Sequence, residues 1–152
     1  MVPADGGTPR QLTSGEAHHR GPLAWSADGE RILFSANRDP DWERQTVEAD
    51  VFAVAVEDGA LEVVVDGPGE QSAPRLSPDG TRLAWLHTDN EPVPYVNTRL
   101  VVAGADGSDP VRLLADLDRD VASARWAGDE TLVVSYADRG RTVLERVGLD
   151  GS

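Results

Sequence analysis

The fold of this chain is decided by residues 76–85, which read LSPDGTRLAW. The end of an apolar strand is followed by an Asp-Gly turn and by a second apolar strand, which is the pattern of a β-hairpin. Glycine suits such a turn because it adopts positive φ without steric cost, and aspartate hydrogen-bonds to its own backbone there. The hairpin is therefore the first structural element that the sequence predicts.

The same phrase occurs three times along the chain. It reads WSADGERILF at residues 25–34 and, in an altered form, WAGDETLVVS at residues 126–135. The aspartates of the three copies, Asp28, Asp79 and Asp129, are 51 and 50 residues apart. A nearly constant spacing of this size indicates a repeat architecture.

Strand signals divide the chain into an N-terminal segment and three units. We predict an N-terminal outer strand at 5–13 and units at 22–66, 73–115 and 122–149, the last without its fourth strand. No segment shows the periodicity of an amphipathic helix. Twelve short strands repeated at this spacing are typical of four-stranded propeller blades. We therefore predict an all-β chain that forms a partial β-propeller of three antiparallel blades.

Three blades do not make a closed ring, because propellers typically have about four to eight. The last unit lacks a strand, whereas an extra strand precedes the first unit. Two copies would complete a six-bladed ring if the strand at 5–13 of each paired with the last strand of the other. We therefore expect either a strand-exchanged homodimer or association with the remainder of a longer parent chain.

Charge and composition exclude several classes of partner and site. The chain has 27 acidic and 14 basic residues, a formal net charge of −13 at pH 7, which disfavours nucleic acid and anionic membranes. It has no apolar run long enough to span a bilayer and no signal-peptide pattern, so we expect a cytoplasmic location. Without cysteine it has no disulfide, no thiolate zinc site and no cysteine nucleophile.

Four phrases resemble known propeller families. The SPDG turn at 77–80 and the phrase DGGTPRQLT at 5–13 resemble the repeats of Tol-type propellers. The phrases SANRDPDWE at 35–43 and ADLDRD at 115–120 resemble the propeller of prolyl oligopeptidase family serine peptidases, in the acylaminoacyl-peptidase and dipeptidyl-peptidase-like branch. Together these similarities extend over nearly the whole chain.

In the peptidase family, the resemblance implies, the propeller is a cap that admits only peptides to a separate α/β-hydrolase domain with a Ser-Asp-His triad. This chain contains no G-x-S-x-G nucleophile elbow. We therefore expect a non-catalytic, substrate-gating cap fragment of a serine peptidase. The alternative is a Tol- or WD-repeat-like module that binds proteins, and a hydrolase domain in the full reading frame would favour the peptidase.

The histidines and the closely spaced aspartates are candidate functional residues. His18, His19 and His87 are predicted in loop or hairpin positions with no strained turn to hold a serine, so we expect no triad and no cofactor. The adjacent histidines are interpreted as solvated rather than metal-binding. The carboxylates of Asp116, Asp118 and Asp120 alternate as in a Ca²⁺ loop, but Val121 stands where such a loop has glycine. The favoured interpretation is a solvated connector between blades.

A charged loop at 38–44 is the remaining candidate. Arg38, Asp39, Asp41 and Trp42 could contact substrate or a hydrolase domain, because loops on rigid scaffolds often carry function. The favoured interpretation is that Trp42 fills a gap beside the blade while the charges are solvated. Three other tryptophans, Trp25, Trp85 and Trp126, recur in the repeat and are predicted to lie in the core.

Overall fold

A computed structural model describes residues 1–2, 4–45, 47–91, 93 and 95–150. Within these ranges the chain forms three antiparallel sheets, here called blades 1, 2 and 3, with strands in chain order. Blade 1 contains β1 (His18–Trp25), β2 (Arg31–Asn37), β3 (Asp50–Ala55) and β4 (Leu61–Val65). Blade 2 contains β5 (Glu70–Leu76), β6 (Arg82–Thr88), β7 (Arg99–Gly104) and β8 (Val111–Leu113). Blade 3 contains β9 (Val121–Trp126), β10 (Thr131–Asp138) and β11 (Arg141–Gly148).

The partial propeller is confirmed in its coarse form, as three successive sheets without ring closure. The described residues form eleven strands rather than twelve, because residues 5–13 pair with no strand. The sheet that would supply their hydrogen-bonding partner is not among the three blades. His18 and His19, predicted in a loop or hairpin position, lie in strand β1, which begins at His18.

The hairpin turns are held by a small side-chain network. Ser77 Oγ donates to Asp79 Oδ1 at 2.5 Å and accepts from the Arg82 backbone N–H at 3.0 Å, while Gly80 adopts a φ of 73°. The Ser26 and Asp28 side chains repeat this arrangement in blade 1. Hydrogen bonds from the serine hydroxyl and from the backbone lower the pKa of both aspartates. The Asp-Gly hairpin turns that the sequence predicts are therefore confirmed between the first two strands of blades 1 and 2.

Apolar residues on both faces of the middle strands join neighbouring blades. Between blades 1 and 2 the core consists of Leu33, Val51, Ala53, Leu83, Trp85, Val101 and Ala103. Between blades 2 and 3 it consists of Ala84, Leu86, Leu100, Val102, Leu113, Val121, Ala124, Leu132, Val134 and Val147. Alternate residues of β6 thus serve two different interfaces, as the period of a strand requires. Burying each large aliphatic side chain stabilises the fold by about 1.5–3 kcal/mol.

The three recurring tryptophans do not share one environment. Trp85 is buried between blades 1 and 2, and the half-buried Trp126 donates its Nε1–H to Arg75 O of blade 2 at 3.0 Å. Trp25 occupies in blade 1 the position that Trp126 occupies in blade 3. It is 52% exposed, so the prediction that it lies in the core is wrong. The physical reason is that none of the three described blades packs on this side of blade 1.

No helix of membrane-spanning length and apolar character occurs within the described residues.

We predict that the buried hydroxyl of Ser35 destabilises blade 1. Ser35 is fully buried and its Oγ has no hydrogen-bond partner within the described chain, so Ser35→Ala should raise the free energy of unfolding by about 1 kcal/mol. Ser135 has the same place in blade 3, but its Oγ is 2.7 Å from Ser123 Oγ. Ser135→Ala should therefore lower stability in urea titrations, and equal effects at the two sites would contradict this account.

Candidate functional site

An inter-blade groove of about 390 Å³ is the first candidate site. One wall is the end of β4 and the loop after it, residues 64–68, and the other is formed by Gln71, Trp85, His87, Asp89 and Arg112 of blade 2. Gln71 and His87 are directly opposite in the β5–β6 register, and Trp85 and His87 are on one face because side chains alternate along a strand. The pleat of β6 thus aligns polar groups along the wall.

These side chains form a continuous hydrogen-bond chain. Gln71 Oε1 accepts from Trp85 Nε1 at 2.8 Å and lies 2.9 Å from His87 Nδ1. The other ring nitrogen, His87 Nε2, is 2.7 Å from Asp89 Oδ1, which also accepts from Arg112 at 3.1 Å. Because indole N–H only donates, the Gln71 amide is oriented with its oxygen toward both rings.

The chain of hydrogen bonds favours a structural role over catalysis. The hydrogen bond from His87, followed by the positive charge of Arg112, lowers the pKa of the Asp89 carboxyl. Both nitrogens of His87 are engaged by oxygens of the chain, Gln71 Oε1 and Asp89 Oδ1, so neither is directed at a substrate or a nucleophile. The arrangement can orient a polar ligand in the groove, but it contains no activated nucleophile of the kind that covalent catalysis requires.

The ionised form of a second carboxyl close to this groove, that of Asp50, is disfavoured by its surroundings. Burial and then the negative charges of Asp66 and Glu48 raise the pKa of Asp50, and a hydrogen bond from the Gly67 backbone N–H partly offsets this rise. Glu48 itself reaches the linker between blades 1 and 2, where its Oε2 accepts from Gly69 N at 2.8 Å. This carboxylate thus fastens the loop before β3 to the residue that precedes β5.

A second concavity, the outer groove, lies on the face of blade 1 that points away from blade 2. It has a volume of about 460 Å³ between residues 10–13 and strand β1, and includes Trp25, Ile32 and Phe34. The apolar residues of this face form their own cluster, Ile32, Phe34, Ala36, Phe52 and Val54, against which Leu12 packs. The N-terminal segment therefore covers part of this face and leaves the groove beside it.

The predicted loop at 38–44 is folded onto the start of β1. Arg38 Nη2 donates to Ser14 O at 2.8 Å, and Arg38 Nη1 is 2.8 Å from His19 Nε2. Burial and then the charge of Arg38 lower the pKa of His19, which keeps this ring neutral and able to accept. The half-buried Trp42 ring is 6.1 Å from that of His18. The exposed carboxylates of Asp39 and Asp41 remain at the loop surface.

Two of the three aspartates at 116–120 accept hydrogen bonds from other parts of the chain, and the third, Asp116, is exposed. Asp118 Oδ1 accepts from Asn97 Nδ2 at 3.1 Å, and Asp120 Oδ1 accepts from Thr98 N at 2.8 Å. Arg119 lies 3.3 Å from Asp138 Oδ1 of blade 3. Within the described ranges no three acidic or histidine side chains form a group that could hold a metal. This segment ties the loop before β7 to the start of blade 3.

Sequence reasoning missed the polar partners of His87. Gln71, Asp89 and Arg112 lie on different strands or loops and are brought together only by strand pairing. One local signal was available, because the spacing of His87 and Asp89 would place both on one face of an extended strand end. Nothing in the sequence identified Gln71 as their partner.

The chain matches the profile of a known domain family along its full length. The family described as "Lipoprotein LpqB beta-propeller domain" matches residues 1–152. Dipeptidyl-peptidase 5 of Aspergillus oryzae is 26% identical over 137 residues, 82% of this chain but 19% of that protein. The probable dipeptidyl-peptidase 5 of Aspergillus flavus gives the same figures. The chain thus spans about a fifth of the length of these relatives.

Solved structures show the same fold. A TolB-type protein of Agrobacterium tumefaciens matches 99% of this chain and 52% of its own, with a TM-score of 0.74 and 20% identity. A puromycin-hydrolysing peptidase of Mycobacterium tuberculosis matches 86% of this chain and 22% of its own, with a TM-score of 0.66 and 22% identity. These matches confirm the resemblance to Tol-type and peptidase propellers that the repeat phrases predicted.

We predict opposite effects of neutralising Asp50 and Asp79. A raised pKa means that Asp50 contributes stability when protonated, and this contribution is lost as the pH rises through its folded-state pKa. Asp50→Asn should therefore stabilise the protein at neutral pH. The pKa of Asp79 is lowered, so its contribution is present above the ordinary value of about 4 and is lost on acidification. Asp79→Asn should therefore destabilise the protein at neutral pH. Denaturant midpoints measured as a function of pH should show that the effects of both substitutions become smaller in acid. Two substitutions that change the midpoint in the same direction at neutral pH would refute this prediction.

Gln71→Leu should lower the free energy of unfolding by about 3 kcal/mol, since it leaves the buried Trp85 Nε1–H without an acceptor and removes the partner of His87 Nδ1. Adding Trp85→Phe removes the indole donor. The double variant should therefore lose less than the sum of the single losses, by about 1 kcal/mol in urea unfolding. Strict additivity would show that the Gln71–Trp85 hydrogen bond does not contribute to stability.

Proposed function

This chain belongs to the lipoprotein LpqB β-propeller domain family, and we propose that it is a non-catalytic, substrate-gating cap of a prolyl oligopeptidase family serine peptidase. The observation that carries the proposal is the alignment with the dipeptidyl-peptidases 5. It includes 82% of this chain but only 19% of the relative, so most of that peptidase lies outside the aligned propeller region. Catalysis would then belong to a separate domain.

The chemistry of the described side chains supports a role without catalysis. The nitrogens of His87 are directed to Gln71 and Asp89, and His19 Nε2 is directed to Arg38. None of these hydrogen bonds joins a histidine to a serine hydroxyl, which is the contact that activates the nucleophile in a triad. The histidines instead fasten strands and loops of the rigid scaffold.

The gating end is proposed from the topology of the connections. The long links between the second and third strands, residues 38–49 in blade 1 and 89–98 in blade 2, both leave the blades at the same end. This end carries Arg38, Asp39, Asp41 and Trp42, and also Tyr95, which is 91% exposed. In a cap, loops at the end that faces the catalytic domain narrow the entrance and exclude large substrates.

The alternative is a propeller module that binds other proteins. It is favoured by the TolB-type structure, which matches nearly the whole chain with the highest of the TM-scores given above. The two proposals differ in what accompanies the propeller. A hydrolase domain carrying G-x-S-x-G in the same reading frame supports the cap, and its absence from the full gene supports the binding module.

The cap proposal predicts that the isolated chain hydrolyses neither chromogenic dipeptidyl substrates nor acyl-amino-acid substrates. Turnover that a serine-directed inhibitor abolishes would overturn it. In the intact parent protein, Trp42→Ala should loosen the gating end and raise the rate on a long peptide relative to a dipeptidyl substrate. Val63→Ala, at an exposed position of β4, serves as the control and should leave this ratio unchanged.

A further inference from the structure

Seven aspartates of this chain are followed directly by glycine, at positions 5, 28, 58, 66, 79, 106 and 150. An Asp-Gly bond rearranges without an enzyme when the glycine nitrogen attacks the aspartyl side-chain carboxyl, because glycine has no Cβ to hinder the approach. The product is a cyclic imide, which water opens to aspartate or to isoaspartate. The attacked carboxyl must carry a proton, since a carboxylate is a poor electrophile. The fold therefore decides which of these bonds reacts.

Four of these aspartates are restrained by their turns. Their carboxylates accept a hydrogen bond, at 2.9–3.0 Å, from the backbone N–H two residues further along the chain: those of Asp28, Asp58, Asp79 and Asp106. In Asp28, Asp79 and Asp106 a hydrogen bond from a serine hydroxyl, and then this backbone bond, lower the pKa of the carboxyl. A lowered pKa keeps these three groups ionised and therefore unreactive. The pair at 150–151 extends beyond the described residues.

The pair Asp66-Gly67, in the linker between β4 and β5, has none of these restraints. Within the described residues the Asp66 carboxyl accepts no hydrogen bond and forms no ion pair, and this residue is exposed. Gly67 has a φ of 140°, and a Cβ built on it would meet no described atom within 4 Å beyond its chain neighbours. The Gly67 nitrogen and the Asp66 carboxyl therefore have room to close the imide ring.

A base already lies on the attacking nitrogen, because the half-buried Asp50 accepts a hydrogen bond from Gly67 N–H. The β3–β4 register pairs Val51 with Val65. One step further it places Asp50 opposite Asp66, and opposite residues of an antiparallel pair have Cβ atoms about 4.5–5.5 Å apart. Burial, then the negative charge of Asp66, raises the pKa of Asp50, which makes its carboxylate a stronger base than that of an ordinary aspartate.

We propose that the bond between Asp66 and Gly67 is a site of spontaneous isoaspartate formation, with Asp50 as the general base. The Asp50 carboxylate takes the proton of Gly67 N–H as the nitrogen bonds to Cγ of the protonated Asp66 carboxyl. The bond from Cγ to the hydroxyl oxygen then breaks, and the hydroxyl leaves as water with the proton that Asp50 held. Water afterwards adds to either carbonyl of the imide. The main chain then runs through Cα as before, or through Cβ and Cγ as in isoaspartate.

This rearrangement changes one wall of the inter-blade groove. Residues 64–68 form that wall, and an isoaspartyl residue lengthens the main chain there by a methylene group. The linker is also held by Glu48, whose Oε2 accepts from Gly69 N at 2.8 Å. Isomerisation at Asp66 therefore alters the segment that connects blade 1 to blade 2.

The test is the uptake of heavy oxygen from labelled water by the native chain at mildly acidic pH, where a fraction of the carboxyl groups is protonated. Each opening of the imide adds one labelled oxygen, and fragmentation of proteolytic peptides assigns it to a residue. Asp66 should take up label faster than the aspartates of the five other Asp-Gly pairs within the described residues. These include the exposed Asp5, whose carboxyl is likewise without a described hydrogen bond, but whose glycine N–H donates to no described carboxylate. In urea, where the fold is lost, the difference should disappear.

Two substitutions identify the base. Asp50→Asn should slow label uptake at Asp66 about 100-fold, the low end of what a positioned general base contributes. Asp41→Asn is the matched control, because it removes the same charge from an exposed loop position, and it should leave the uptake unchanged. Equal uptake at Asp5 and Asp66 in the native chain would overturn the proposal. Uptake at Asp66 that is indifferent to Asp50→Asn, or that stays the fastest in urea, would overturn it as well.

Discussion

The structure depends on the packing of one blade face against the next. A single four-stranded sheet of this size has apolar residues on both faces, and neither face is stable in water alone. Blade 2 is covered on both sides, with Leu83, Trp85, Val101 and Ala103 toward blade 1 and Ala84, Leu86, Leu100 and Val102 toward blade 3. The stability of the middle blade is therefore a property of the stack, as in other repeat proteins.

The same constraint explains the character of the two outer faces. Blade 1 has an apolar outer cluster that the N-terminal segment covers in part through Leu12, beside an open groove. Blade 3 has a more polar outer face, with Ser123 and Ser135 hydrogen-bonded to each other and Leu144 exposed. The second and third strands pair in the same register in all three blades. The two outer faces therefore differ from the interior interfaces because none of the described blades packs on them, and not because their strands are paired differently.

Polar groups in the chain serve mainly to join blades. The hydrogen-bond chain of Gln71, Trp85, His87 and Asp89 lines the groove between blades 1 and 2. Glu48 accepts a backbone N–H from the linker between blades 1 and 2, and Asp120 accepts one from the loop before β7. These hydrogen bonds hold neighbouring blades in fixed positions, as a member of the LpqB β-propeller domain family requires. They also explain why the histidines are occupied by structural partners.

The sequence by itself determined the repeated unit, the Asp-Gly hairpins and the all-β class, because turn chemistry and strand alternation act between near neighbours. It determined neither the exposure of Trp25 nor the non-strand state of residues 5–13, since both depend on whether another blade lies alongside. The hydrogen-bond chain around His87 could not be predicted from the sequence either, because Gln71 and Arg112 join it only through strand pairing. Local patterns thus decided the blades, and long-range packing decided which surfaces, grooves and edges remain open to a partner.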